Sequence, residues 1–93
     1  MTERLYVFTY DISSPSIRRR VARQLEEVAA RVQESVFEAR LAHREAKRLA
    51  RHVATGLQTG DSLRVYAVGA ADLQLCLAFG APPLAEAQDF HLL

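Results

Sequence analysis

Apolar and polar positions change rhythm several times along this chain. From Arg4 to Ile12, "RLYVFTYDI", almost every position is apolar or aromatic. Leu5, Val7 and Thr9 would fall on one side of an extended chain, and Tyr6, Phe8 and Tyr10 on the other. Such a run predicts a strand in the middle of a sheet covered on both faces. The period then lengthens: Ile17, Val21, Leu25 and Val28 recur at helical spacing. Ser14 before Pro15 marks the start of that helix, since the hydroxyl can cap free backbone N–H groups and proline at the first helical position gives up no needed donor. "RVQESVFEARL" is extended again, with a short strand expected near Val32, a turn near Glu34 and Ser35, and a strand from Val36 to Leu41. A second helix is expected from about His43 to Thr55, with Ala46, Leu49 and Val53 inward and Gly56 as its stop. Ala42 offers that helix no capping oxygen. "GDSLRVYAV" predicts a strand after a Gly-Asp turn, and "LQLCLAFG" a further strand. A "GAPP" break and the short apolar terminus "DFHLL" follow.

The expected order is β-α-β-β-α-β with an extension, the α+β ferredoxin-like arrangement: an antiparallel sheet with both helices on one face. Residues 1–68 form the core in this reading, and residues 69–93 a C-terminal extension with an added strand. The other face of the sheet stays bare unless something covers it. The two-sided first strand therefore predicts a second copy packed about a two-fold axis.

Composition narrows the class. Ninety-three residues, 49% hydrophobic, suffice for one small domain. A single cysteine, Cys76, excludes an intrachain disulfide and suits a reducing compartment. The early charged and aromatic residues predict no signal peptide, and no apolar run approaches the ~20 residues of a membrane span. The expectation is a cytoplasmic protein without a membrane partner.

Net charge is only +1, but it is unevenly spread. Residues 15–52 hold nine Arg and one Lys against five Glu, a local charge of +5, between mildly acidic ends. A basic module of this kind suggests a polyanion partner. Two features sharpen that. Asp11 ends an apolar strand, where a carboxylate does little for packing. Arg18, Arg19 and Arg20 stand at a helix start, where the macrodipole disfavours cations. An anion docked there would offset both their mutual repulsion and the dipole penalty. On a wheel of about 100° per residue, Arg19 and Arg23 point into solvent, whereas Arg18 and Arg20 flank the apolar stripe and can lean over the strand end. Asp11 reads either as an Asx-turn residue or as a ligand for magnesium, a cation that takes oxygen donors and often only one or two protein carboxylates beside phosphate oxygens. Two Asp11 side chains meeting across a dimer would make the better site.

The second helix carries His43, Arg44, Lys47, Arg48, Arg51 and His52 away from its apolar stripe, with Glu45 the only acid among them. A phosphate backbone could lie along Arg44, Lys47, Arg48 and Arg51. The row Tyr6, Phe8 and Tyr10 reads as dimer core, or as a base-stacking platform of a single-strand RNA reader.

Taken together, "YDISSPSIRRRVARQLEEVAARVQESVFEARL" resembles the CRISPR-associated protein two family, the small subunit of the spacer-acquisition machinery. The likeness is close over residues 4–41 and reaches about residue 68 through "LRVYAV". The resemblance implies a ferredoxin-like homodimer that binds two copies of the adaptation integrase dimer and scaffolds spacer DNA. Many members are described as magnesium-dependent endonucleases on RNA or double-stranded DNA. By motif position, Asp11 looks like the metal-binding acid, for Mg2+ or Mn2+ in its place. Tyr10, Arg18, Arg20, Arg31 and Phe37 look like residues supporting a nuclease site, and Ser35 like the polar residue shaping the loop near the phosphate. Arg18 and Arg20 would also contact nucleic acid. The tail resembles family tails that add a strand to the partner's sheet and contact the integrase. A non-catalytic scaffold and a toxin-type ribonuclease on the same fold are the alternatives.

Overall fold

The structure is a computed structural model, and residues 2–80 are described here. Its elements are β1 (Glu3–Asp11), α1 (Pro15–Glu26), β2 (Ala30–Gln33), β3 (Val36–Ala42), α2 (His43–Ala54), β4 (Ser62–Val68) and a single-turn helix α3 (Ala70–Leu73). The four strands form one sheet in the order β2-β3-β1-β4. Every neighbouring pair is antiparallel. This is the expected ferredoxin-like arrangement, with β1 central.

Local chemistry accounts for the element ends. Ser14 Oγ accepts from the Ile17 N–H at 3.4 Å, and Pro15 takes the first helical position. α1 stops at Glu26 because the Val28 and Ala29 N–H groups both return to the Leu25 carbonyl. Val28 therefore leaves the predicted stripe and is exposed, and Ala29 takes the buried place. At the start of α2, Ala42 indeed supplies no capping oxygen, but the Glu45 carboxylate accepts the Ala42 N–H at 3.0 Å. Gly56, at φ +90°, turns the chain out of α2 in a conformation that costs other residues strain.

The core lies between the helices and one sheet face. Phe8, Val21, Leu25, Phe37, Ala39 and Val53 are wholly buried there, joined by Tyr6, Tyr10 and Ala46. Two expectations are thereby corrected. The row Tyr6, Phe8 and Tyr10 faces the chain's own helices, so it is neither an exposed stacking platform nor dimer core. The opposite face carries Leu5, Val7, Thr9 and Asp11 of β1. It also carries Glu38 and Arg40 of β3, and Arg64 and Tyr66 of β4, by the alternation of strands in this register.

The expected strand over "LQLCLAFG" is not formed among the described residues. After Gly69 the chain winds instead, with the Asp72 and Leu73 N–H groups returning to the Gly69 carbonyl, and Leu75, Leu77 and Phe79 are left exposed. Short-range hydrogen bonds win here because the alternating residues find no cross-strand partner in the described sheet. Most of the "GAPP" break, the "DFHLL" terminus and the remainder of the predicted extension lie outside the described residues.

Candidate functional site

Where β1 ends and α1 begins, the surface opens into a cavity of about 580 Å³. Its lining includes Tyr10, Asp11, Arg18, Arg19, Arg23, Arg31 and Ser35. Asp11 is exposed at the last position of β1, opposite Ser62 of β4. Alternation places it on the open face of the sheet, so the cavity wraps round the strand end from the helix side towards that face.

The loop beneath Asp11 is tied from several directions. Arg18 Nη1 donates to the carbonyls of Ile12 and Ser13, both at 2.9 Å. The Ser13 N–H donates to Asp61 Oδ1 at 3.2 Å, and the other Asp61 oxygen accepts from the Gln58 N–H at 2.9 Å. Ile12 is buried and pins the same stretch. The β1–α1 loop is thus held before any ligand arrives.

On the far wall, Arg31 Nε and Nη2 donate to the Glu34 carbonyl at 3.0 and 2.6 Å. The Tyr10 hydroxyl donates to the same carbonyl at 3.3 Å, and the Tyr10 N–H donates to the Ser35 carbonyl at 3.2 Å. Phe37 supports both residues: its ring stacks on Tyr10 at 6.2 Å between centroids, and the Arg31 guanidinium lies 5.4 Å from its centre. Tyr10, Arg31, Ser35 and Phe37 therefore act together on one turn, between β2 and β3. Phe37 is fully buried, so it acts only through the groups it carries.

Arg20 is placed elsewhere. Its Nη1 donates to Gln24 Oε1 at 3.1 Å and to the Val53 carbonyl at 3.4 Å, at the end of α2. It does not line the Asp11 cavity, contrary to the expectation that it leans over the strand end. Arg19 and Arg23 are exposed, as the wheel predicts, and they line this open cavity. A wheel gives direction about the helix axis, but not what stands across from it. Asp61 escaped the sequence reading altogether. Its only signal was the Gly60-Asp61 turn next to the strand that faces Asp11.

The second basic region forms as expected. His43, Arg44, Lys47, Arg48 and Arg51 line a separate cavity of about 340 Å³ on the outer side of α2. His43 is anchored there, its Nδ1 lying 3.0 Å from the Tyr6 hydroxyl.

Four guanidinium groups beside one strand-end carboxylate suit binding of phosphate oxygens. Among the described residues no three His, Cys, Asp or Glu side chains are grouped to hold a metal ion. Asp11 alone offers one hard oxygen ligand per chain, which suits magnesium only as part of a larger set. No helix among the described residues is long and apolar enough to cross a membrane.

Comparison with known proteins bears on these features. The family model described as CRISPR associated protein Cas2 matches residues 4–74. CRISPR-associated endonuclease Cas2 2 of Thermus thermophilus is 36% identical over 94 residues, covering 100% of both chains. CRISPR-associated endoribonuclease Cas2 3 of Synechocystis is 36% identical over 83 residues, covering 88% of this chain and 90% of that protein. The crystal structure of a hypothetical protein, TT1823, from Thermus thermophilus superposes with a TM-score of 0.75 at 36% identity, covering 90% of this chain and 99% of that one.

Proposed function

The chain belongs to the CRISPR-associated Cas2 family, and from that premise we propose that it acts in CRISPR adaptation as a homodimer that holds spacer DNA for the adaptation integrase and can cut phosphodiester bonds with a divalent metal. The observation that carries the reading is the cavity of Asp11, Arg18, Arg19, Arg23 and Arg31 at the end of β1. The names of the two relatives, an endonuclease and an endoribonuclease, support a nuclease role.

In this reading two copies meet through their open sheet faces, and the two Asp11 carboxylates together hold one Mg2+, with Mn2+ able to replace it. Bound there, the metal supplies Lewis-acid polarisation of a phosphoryl oxygen and a more acidic water. The chain's own residues do the rest. Arg19 and Arg23 bind the phosphate oxygens and offset charge that grows on them during hydrolysis. Arg18 and Arg31 keep the β1–α1 loop and the β2–β3 turn in place while presenting positive charge to the same space. Tyr10 and Ser35 fix the turn from below. The α2 face takes a further stretch of duplex backbone. The exposed Leu75, Leu77 and Phe79 support the reading that the extension docks on the partner subunit or the integrase.

A specific observation favours a second reading, the scaffold without cleavage. Arg18 and Arg31 already spend hydrogen bonds on carbonyls of their own loops, and the described residues of one chain group no metal-ligand set. One experiment separates the two. The parent and Asp11→Asn proteins are incubated with duplex DNA and, separately, single-stranded RNA in magnesium or manganese, and then combined with the integrase in a spacer-insertion assay. Cleavage by the parent and loss of it in Asp11→Asn is the expected result. Equal cleavage by both proteins overturns the catalytic assignment. Binding and insertion without any cleavage establishes the scaffold.

A further inference from the structure

The open face holds a polar arrangement that one chain does not complete. Glu38 sits at the centre of β3 and directs its side chain to that face, where Oε1 is hidden from solvent and has no hydrogen-bond partner among the described residues. A buried carboxylate oxygen without a partner is costly, and such groups are usually satisfied by something. In the register of the sheet, Glu38 stands beside Val7, and Val7 stands beside Tyr66. Tyr66 is 51% exposed, and its hydroxyl receives a hydrogen bond from Arg64 Nη1 at 3.3 Å. One row across the open face therefore runs from an acid with an unbonded oxygen, through an aliphatic residue, to a paired phenol and guanidinium.

The symmetry of a face-to-face dimer decides what meets what. This step rests on the homodimer reading above, in which two Asp11 groups converge. A two-fold axis lying across the strands would send the two Asp11 residues to opposite ends. An axis running along β1 keeps both at one end and lays β1 over its counterpart. That rotation exchanges left and right, so β3 of one copy comes to lie over β4 of the other. Glu38 then faces the Tyr66 row of the second copy, and the interface repeats itself in the other direction, as an isologous contact must. Face-packed sheets stand about 10 Å apart, a gap that Glu reaching from one side and Arg or Tyr from the other can close.

We infer that Glu38 of each copy accepts hydrogen bonds from the Arg64–Tyr66 pair of the other, two symmetric contacts that set the register in which the Asp11 carboxylates meet. The recognised partner is a second copy of this chain, and the recognition is a carboxylate against a guanidinium flanked by a phenol. Arg64 is already oriented by Tyr66, which reduces the ordering needed on association.

The test is a charge exchange read by sedimentation. Glu38→Arg sets arginine against Arg64 in both symmetric contacts, and Arg64→Glu sets carboxylate against Glu38. Each variant alone should raise the dimer dissociation constant by at least about tenfold, because like charges placed together across an interface are strongly unfavourable. An equimolar mixture of the two variants restores both contacts in a heterodimer, and the double variant restores them in a homodimer. Both should return to within about threefold of the parent, as coupled neighbours do. Circular dichroism checks that each monomer is folded. If Glu38→Arg is not, Glu38→Gln and Arg64→Gln replace the pair: each weakens the dimer, and together they weaken it by less than the sum of the two.

Single variants that dimerise like the parent overturn the pairing and leave the homodimer reading standing. So does weakening that neither the mixture nor the double variant repairs, or, with the glutamine pair, simple additivity. A parent chain that sediments as a monomer sinks the homodimer reading itself and the pairing with it.

Discussion

The molecule has two basic surfaces, and they are built differently. The cavity at the end of β1 mixes Arg18, Arg19, Arg23 and Arg31 with Asp11, Glu26 and Glu34, and two of its arginines are bonded to backbone carbonyls. Among the described residues, the α2 cavity is lined by His43, Arg44, Lys47, Arg48 and Arg51, with no acid. The first spends cations on holding loops and keeps a carboxylate among them. The second is a row of cations along one helix, with His43 held by the Tyr6 hydroxyl. A surface that only needs to attract a polyanion gains nothing from a carboxylate, which repels phosphate. On the proposed reading, Asp11 in one and no acid among the described lining of the other divide chemistry from adhesion.

The largest effect expected from this contrast is at Asp11. With magnesium present, Asp11→Asn should lower the cleavage rate by about 10² to 10³, the scale seen when one electrostatic element of a reaction centre is removed. Duplex affinity measured by fluorescence anisotropy should hold or rise slightly, since a negative charge leaves the cavity proposed to bind phosphate. A fall in affinity as large as the fall in rate would erase the distinction between the two surfaces.

Arg31 comes next. Arg31→Ala removes two hydrogen bonds to the Glu34 carbonyl and a cation over the Phe37 ring. The expected loss is about 1–2 kcal/mol in urea unfolding, summing modest net hydrogen-bond and cation–π contributions at an exposed residue. Cleavage should fall with it as the β2–β3 turn loosens, while the α2 surface stays unaffected. Arg31→Lys should recover little, because a lysine cannot present the two-pronged donor that this carbonyl receives.

Much of this organisation was legible in the sequence, and the misses have physical causes. Dense apolar alternation in β1, the Ser14–Pro15 start of α1 and the turn at Glu34 and Ser35 are local signals, and the elements follow them. Asp11 was conspicuous because a carboxylate at the end of such a strand lacks a packing reason. Which face of β1 the helices cover was not legible, since both faces are apolar. The larger residues, Tyr6, Phe8 and Tyr10, fill the space under the helices, while Leu5, Val7 and Thr9 turn to the opposite face, where Leu5 is buried and the other two half-buried. Arg20 was misplaced because the Val53 carbonyl it binds is 33 residues away in sequence. The same limit hid Asp61, whose bond to Ser13 spans 48 residues. The alternation in "LQLCLAFG" was real, but a strand needs a neighbour as well as a pattern.

The smallest effect concerns the α2 surface, and it is the one that tests adhesion most directly. Lys47 and Arg48 are exposed on the outer side of the helix, and both line the α2 cavity. If duplex backbone lies there, each contact releases counterions when it forms, and removing one side chain should reduce the slope of log affinity against log salt by about 0.9. Between 50 and 200 mM salt that change amounts to only a few-fold in affinity per residue, so the slope is the better readout than any single constant. Lys47→Ala and Arg48→Ala should each lower the slope, additively in the double variant, with cleavage at low salt nearly unchanged. Neither side chain supports the core, so the melting temperature should not move. A slope that stays put in the double variant would mean that the backbone does not cross α2, and that the cavity at the end of β1 carries the binding as well as the chemistry.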